Sequence, residues 1–210
     1  MLGAPRAGGY TEGMSMTKPI TPTVSDGRVQ RSLNSRQKIM DAMFAYCDEG
    51  NLIPTAQEVA NRAGVGLRTV FRHFSDMESL FIEMNAQLYA RAEPMFTDLD
   101  RSGTLDERIA GVIALRGRLY DEIGPYIRST LAQIWRYEAL QGTYGRVVRQ
   151  LRADLMAWLP ELEDKGDAVR LEVETLCSFE CWDRLRHYNE VPRARLEGHL
   201  NTMITAALTR

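Results

Sequence analysis

Apolar residues recur at three- and four-residue spacing over most of the chain, which is the period of an amphipathic helix. Between positions 34 and 48 these residues are Ile39, Met40, Met43, Phe44 and Cys47. The same periodicity returns in stretches near 104–122, 126–140, 144–158, 167–188 and 193–209. Glycine or proline separates the stretches, and no segment has the two-residue alternation of a strand. The pattern predicts an all-α fold.

Two short helices are predicted between positions 55 and 74, and a longer one follows. Thr55 and Glu58 have the spacing of a capping box, in which each side chain bonds the other residue's backbone. Gly64-Val65-Gly66 ends the first short helix, since glycine tolerates the positive φ of a sharp turn. Ser75 with Glu78 predicts another capping box, which opens a helix to about Ala92.

Two capped helices joined by a tight glycine turn are typical of a helix–turn–helix. The second helix of this unit, residues 67–74, is expected to point Arg68, Thr69, Arg72 and His73 outward. An arginine can donate two hydrogen bonds to a guanine edge in the major groove, so this face is a candidate for reading DNA.

The segment is also similar to a known family. Residues 55–74 read TAQEVANRAGVGLRTVFRHF and are followed by DMESL at 76–80, a run that resembles the tetracycline-repressor (TetR) family. The resemblance implies an N-terminal three-helix DNA-binding domain at 33–93. It also implies a helical domain at 94–210 that binds a small-molecule effector and forms a homodimer.

The resemblance assigns DNA contacts to residues of this surface: Arg36, Thr55, Gln57, Leu67, Arg68, Thr69, Phe71, Arg72 and His73. Three positions depart from the family. Gly66 and Phe71 stand where serine and tyrosine are frequent, and Met77 stands where lysine is frequent. Phe71 lacks the hydroxyl and Met77 the charge that would bind phosphate.

Residues 1–32 are rich in Gly, Pro, Thr and Ser and have no apolar period. This composition predicts a disordered tail. A DNA-binding arm is the alternative, because Arg28 and Arg31 could enter a minor groove.

The C-terminal half offers candidates for a ligand pocket and for a dimer interface. The aromatic residues Tyr120, Tyr126, Trp135 and Trp158 are the pocket candidates. The interface candidates are Val173, Leu176, Phe179, Leu196, Leu200, Met203 and Ile204. The alternative for this second group is that it only closes the core of the single chain.

Composition excludes several classes of protein. With 26 Lys and Arg against 28 Asp and Glu, the chain is not a uniformly basic nucleic-acid binder. Cys177 and Cys181 with His187 fall short of a tetrahedral metal set, so we interpret the thiols as buried apolar groups, and we expect no metal and no cofactor. No membrane-length apolar run and no secretion signal are present, which predicts a cytoplasmic protein.

These patterns predict a transcriptional repressor that binds a pseudo-palindromic operator as a homodimer and is released by a small molecule. An activator or a corepressor-dependent regulator fits the same sequence, as does a module that binds a different protein. An all-helical enzyme is the remote alternative, because no catalytic motif is present.

Overall fold

A computed structural model describes residues 24–210, with side chains from residue 27 onward. The described residues form helices and no strand, which confirms the all-α fold. Residues 35–210 make up one compact unit, and the helical residues before Ser35 belong to another. Within the described residues, no helix is both long enough and apolar enough to cross a lipid bilayer.

The first helix begins earlier than the apolar pattern predicts. Helix α1 spans Val24–Asp48, so residues 24–32 are helical where a disordered tail was expected. The remainder of the predicted tail, residues 1–23, lies outside the described residues. Gln30 donates to Asn34 Oδ1 at 2.9 Å, and Arg31 donates to the Gly27 carbonyl at 2.9 Å. The prediction was wrong because an exposed polar helix needs no apolar period.

Three helices follow: α2 (Ala56–Ala63), α3 (Leu67–His73) and α4 (Met77–Ala92). The capping box of Thr55 and Glu58 is confirmed at the start of α2. Gly64 has φ 64°, the left-handed conformation for which glycine is suited. The box at α4 pairs Asp76 with Ser79, one residue beyond the predicted pair, because the Asp76 carboxylate accepts from the Ser79 backbone at 2.8 Å.

The C-terminal half consists of five further α-helices, of 5 to 29 residues, around a second core. They are α5 (Leu105–Gln133), α6 (Glu138–Trp158), α7 (Asp167–Leu176), α8 (Phe179–Asp183) and α9 (Arg193–Thr209). Helix α5 continues through Pro125, where a break was predicted. An interior proline costs about 3 kcal/mol, and the burial of Tyr120 and Tyr126 on either side of it offsets that cost.

Two hydrophobic clusters fill the interior of residues 35–210. The first cluster is formed by side chains of α1, α2, α3 and α4, and it also includes Tyr126 of α5 and Leu140 of α6. The Tyr126 ring meets Phe44 edge-on at 5.2 Å between centroids. The second cluster is formed by α5 to α9 with Ala92. The predicted DNA-binding part therefore shares its core with the helices that follow it, and the domain boundary at 93/94 stays a prediction.

Candidate nucleic-acid interface and cavity

Helix α3 has one buried side and one side that faces solvent. Val70, at 1% exposure, anchors the helix on the core. Arg68 and Arg72 are exposed one turn apart, and neither forms an ion pair within the described residues. Phe71 and Leu67 are also one turn apart, at 46% and 36% exposure. The helix therefore presents two unpaired cations beside two apolar side chains.

A neighbouring arginine shows the contrast with this face. Arg62, at the end of α2, is paired with Glu49 and lies 4.7 Å from the centroid of the Tyr46 ring. Its guanidinium is therefore already engaged inside the protein. The free arginines of α3 are better placed to pair with an external anion or a guanine edge.

The start of α2 is held firmly by its cap. The Thr55 backbone N–H and hydroxyl each donate to Glu58 Oε2 at 2.7 Å, and these bonds lower the pKa of Glu58. Gln57 is exposed and donates to Asn61 Oδ1 at 2.8 Å. Thr55 is thus occupied in the cap, and Gln57 is free to exchange its exposed intrahelical bond for a phosphate.

Arg36 was predicted to contact DNA, and in the structure its side chain is 38% exposed and bonded to other parts of the chain. Its Nη2 donates to Glu83 Oε2 on α4 at 2.8 Å, and its Nη1 donates to the His73 carbonyl at 3.2 Å. The guanidinium also lies 4.5 Å from the centroid of the Phe74 ring. Arg36 therefore joins α1, the end of α3 and α4, which makes it a positioning residue, and its role as a DNA contact stays a prediction.

Replacing Arg36 by alanine is expected to weaken DNA binding by about tenfold, because α3 loses its fixed end. The slope of affinity against salt concentration should stay unchanged, since no phosphate contact is lost. Arg36→Lys should weaken DNA binding almost as much as Arg36→Ala, because one ammonium group cannot bond both Glu83 and the His73 carbonyl. If Arg36→Ala instead reduced the salt slope by about 1, and Arg36→Lys bound DNA like the wild type, Arg36 would be shown to contact a phosphate.

His73, at the end of α3, is half-buried. Its Nε2 is buried and has no hydrogen-bond partner within the described residues. Burial, and then the nearby charges of Arg72 and Arg36, lower the pKa of His73. The imidazole is therefore neutral near pH 7, so it would meet a phosphate without a full positive charge.

The second core contains a cavity of about 940 Å³ lined by α4, α5, α6 and the segment around Cys177–Glu180. Among the predicted pocket residues, Tyr120 lines it. Trp135 is 88% exposed, Tyr126 packs in the first cluster, and Trp158 is buried outside the cavity wall. The prediction is wrong for these three, because aromatic character does not determine which way a side chain points.

The polar centre of this cavity was not predicted from the sequence. Arg116 is 2% exposed, and Asp154 lies opposite it, with 2.9 Å between Arg116 Nη2 and Asp154 Oδ2. A signal for it existed: Arg116 occupies the apolar face of α5, four residues after Val112 and three before Leu119. A charge at such a position must be buried with a partner.

Most residues predicted for the dimer interface are buried within the chain itself. These six are Val173, Leu176, Phe179, Leu196, Leu200 and Ile204, each at most 8% exposed. Met203 is 49% exposed and remains available to a partner. The six face the second core because α7 and α9 pack against each other and α9 packs on α5. Their assignment to an interface is therefore wrong.

The two C-terminal thiols have the surroundings of buried apolar groups. Cys177 is buried and Cys181 is half-buried. Burial raises the pKa of Cys177 to about 12, so it remains a neutral thiol near pH 7. Among the described residues, no cluster of three or more His, Cys, Asp and Glu side chains could hold a metal.

Residues 55–84 match the family model described as bacterial regulatory proteins of the tetR family. The match covers α2, the turn, α3 and the first half of α4. The helix–turn–helix of this chain is of the TetR type. The resemblance found in the sequence is thereby confirmed, and the TetR-type unit supports a DNA-binding transcriptional regulator.

Solved structures share the fold across most of the chain. A transcriptional regulator from Rhodococcus sp. Rha1 matches with a TM-score of 0.65 and 17% identity, covering 82% of this chain and 95% of its own. A TetR-family regulator from Mesorhizobium loti matches with a TM-score of 0.61 and 21% identity, covering 85% and 97%. The multidrug binding protein EbrR, complexed with imidazole, has a TM-score of 0.58 and 18% identity, covering 82% and 88%. No curated protein matches the chain.

Proposed function

We propose that the protein is a transcriptional repressor that binds a pseudo-palindromic operator as a homodimer and leaves it when a small molecule enters the cavity. The observation that carries the DNA-binding part is the outward face of α3, where Arg68 and Arg72 are exposed and unpaired among the described residues. The capping boxes at Thr55 and Asp76 fix the helices on either side of α3. A rigid helix with two free guanidinium groups suits reading of guanines in a major groove.

Helix α4 supports the proposal of ligand release, because it lines the cavity and is linked to α3 through Arg36. Ile82, Asn85 and Tyr89 line the cavity. Glu83, between them, holds Arg36, which in turn holds the carbonyl at the end of α3. A ligand that displaces α4 would therefore shift α3. Such a shift can carry a coupling of about 1–3 kcal/mol, which changes DNA affinity about 5–150-fold.

Ligand binding to proteins of this fold has a precedent in EbrR, which is described as a multidrug binding protein. Thermodynamic linkage gives the direct test of release. A ligand that weakens operator binding must itself bind more weakly, by the same factor, when operator DNA is present. Equal ligand affinity with and without DNA contradicts release, and tighter binding with DNA identifies a corepressor instead.

The dimer is proposed through the outer faces of α7 and α9. Leu171 and Met203 are exposed there, at 55% and 49%. Gly198, Thr202 and Ala206 are exposed one turn apart on α9, and such small residues let two helices approach closely. This surface replaces the buried residues that the sequence interpretation assigned to the interface.

Met203→Glu is expected to convert the dimer to a monomer, because it would place a carboxylate in the proposed apolar contact. Operator affinity should fall with it, since two linked half-sites bind far more tightly than one. Sedimentation with a duplex carrying both half-sites measures both effects. Trp135→Glu, at an 88% exposed position away from α7 and α9, is the control. A Met203→Glu protein that still binds as two chains per duplex contradicts this interface.

A further inference from the structure

The cavity wall contains a cluster of two arginines and one carboxylate, centred on the buried Arg116. Asp154 Oδ2 accepts from Arg116 Nη2 at 2.9 Å, and its Oδ1 accepts from Arg101 Nη2 at 2.7 Å. The same Arg116 nitrogen also donates to the Leu151 carbonyl at 2.8 Å. Arginine stays protonated in proteins, so two guanidinium groups face one carboxylate. The cluster therefore carries one uncompensated positive charge.

Part of this cluster has no hydrogen-bond partner. Among the described residues, Nε and Nη1 of Arg116 and Nε of Arg101 are buried and unpartnered. The Arg116 side chain is only 2% exposed, and both arginines belong to the cavity wall. Buried donors are nearly always satisfied in proteins, and charged donors most strongly prefer charged acceptors. These three nitrogens therefore indicate an anionic acceptor.

The rest of the cavity has a different character. Most of its other lining residues are apolar, and they include Leu88, Phe96, Leu119, Tyr120, Ile123 and Phe179. Three glutamates also line the cavity, and one of them is neutralised by an ion pair. Glu174 accepts from Arg152 at 2.8 Å, and Glu180 accepts from the Tyr144 hydroxyl at 2.6 Å. Glu93 also lines the cavity but is exposed to solvent.

We propose that the effector is an amphipathic organic acid, with its carboxylate on Arg116 and Arg101 and its alkyl or aryl body against the apolar wall. This inference rests on the proposed function, in which the cavity takes the effector. A volume of about 940 Å³ suits a drug-sized molecule of this kind. Arg116 is the specificity-determining residue, since it supplies two of the three open donors.

The test compares three probes that share one body and differ in the head group: decanoate, decanol and decylamine. Calorimetric titration of the wild-type protein below the micelle concentration should rank decanoate first. Its affinity should exceed that of decanol by at least about tenfold, because it adds a charge-assisted hydrogen bond, and decylamine should bind most weakly. Equal binding of the three, or a preference for the amine, would overturn the proposal. The proposal would also be overturned if no carboxylate from hexanoate to tetradecanoate bound to the wild-type protein.

A pair of matched variants assigns the preference to the buried arginine. Arg116→Met should lose the preference for the acid and leave Asp154 paired with Arg101. Arg152→Met changes another arginine of the cavity wall, an exposed one, and should keep the preference. Circular dichroism checks that both variants fold. If Arg116→Met is unfolded, the ranking of the probes on the wild type still decides the proposal.

The same probes separate this inference from ligand release. Each probe is also added to the complex of the protein with an operator duplex, obtained by selecting bound sequences from a random DNA pool. If decanoate binds without releasing DNA, the preference of the cavity for organic acids is supported and ligand release is contradicted. Release by decanol at the same occupancy as decanoate supports release and contradicts the acid as the effector class.

Discussion

Replacing Arg68 and Arg72 together by alanine is expected to lower the affinity for a selected operator by at least about thirtyfold, because each good arginine–guanine pair contributes about 1–3 kcal/mol. Both side chains are exposed and unpaired among the described residues, so their removal breaks no ion pair of that part of the chain. The melting temperature should therefore stay within about 2 °C of the wild type. Fluorescence anisotropy with a labelled duplex measures the affinity.

The matched control removes two exposed arginines from other helices, Arg118 of α5 and Arg149 of α6. It changes the net charge by the same amount, so it separates a specific contact from a general electrostatic effect. The control should bind within about threefold of the wild type in moderate salt. Equal losses in the two double variants would mean that α3 does not read the operator.

Phe81→Ala is expected to destabilise the whole unit formed by residues 35–210. Phe81 is 1% exposed and lies in the first cluster, with its ring 6.2 Å from that of Tyr137. Removing a buried phenylalanine costs about 3–5 kcal/mol, which lowers the melting temperature by about 6–20 °C in a chain of this size. Because Tyr126 and Leu140 belong to the same cluster, the loss should reach the C-terminal helices.

The buried tryptophans provide the decisive signal for this effect. Trp158 and Trp182 both lie in the second cluster, away from Phe81. In Phe81→Ala, the tryptophan fluorescence transition should fall to the same lower temperature as the helix signal in circular dichroism. Phe71→Ala, the same substitution at a 46% exposed position, should change the melting temperature little. A tryptophan transition unmoved by Phe81→Ala would show two independent domains.

The helix–turn–helix was predictable from sequence because its signals are local. The cap of Thr55 and Glu58 and the positive φ of Gly64 each follow from residue chemistry within a few positions. The start of α1 at Val24 was not predictable from apolar spacing, since an exposed helix has no such period. Helix α5 continues through Pro125 because the burial of neighbouring side chains outweighs the cost of a proline inside a helix. The sequence shows the proline but not the burial.

The cavity and the dimer surface depend on contacts between distant residues, and the sequence predicts these less well. Periodicity identified the apolar faces of α7 and α9 but not what covers them, so the residues that close the chain's own core were taken for an interface. Trp135 is large and aromatic, yet it lies at the surface. Arg116 was detectable, since a charge on the apolar face of a helix requires a buried partner.

The central claim is tested most directly by selecting bound duplexes from a random DNA pool, with the wild type beside the Arg68→Ala/Arg72→Ala variant. The wild type is expected to enrich an inverted repeat with guanine in each half-site. The centres of the half-sites should be about 34–36 Å apart or a multiple of that distance. The variant should enrich no such repeat. A wild type that enriches no sequence, or a variant that enriches the same one, would contradict the account.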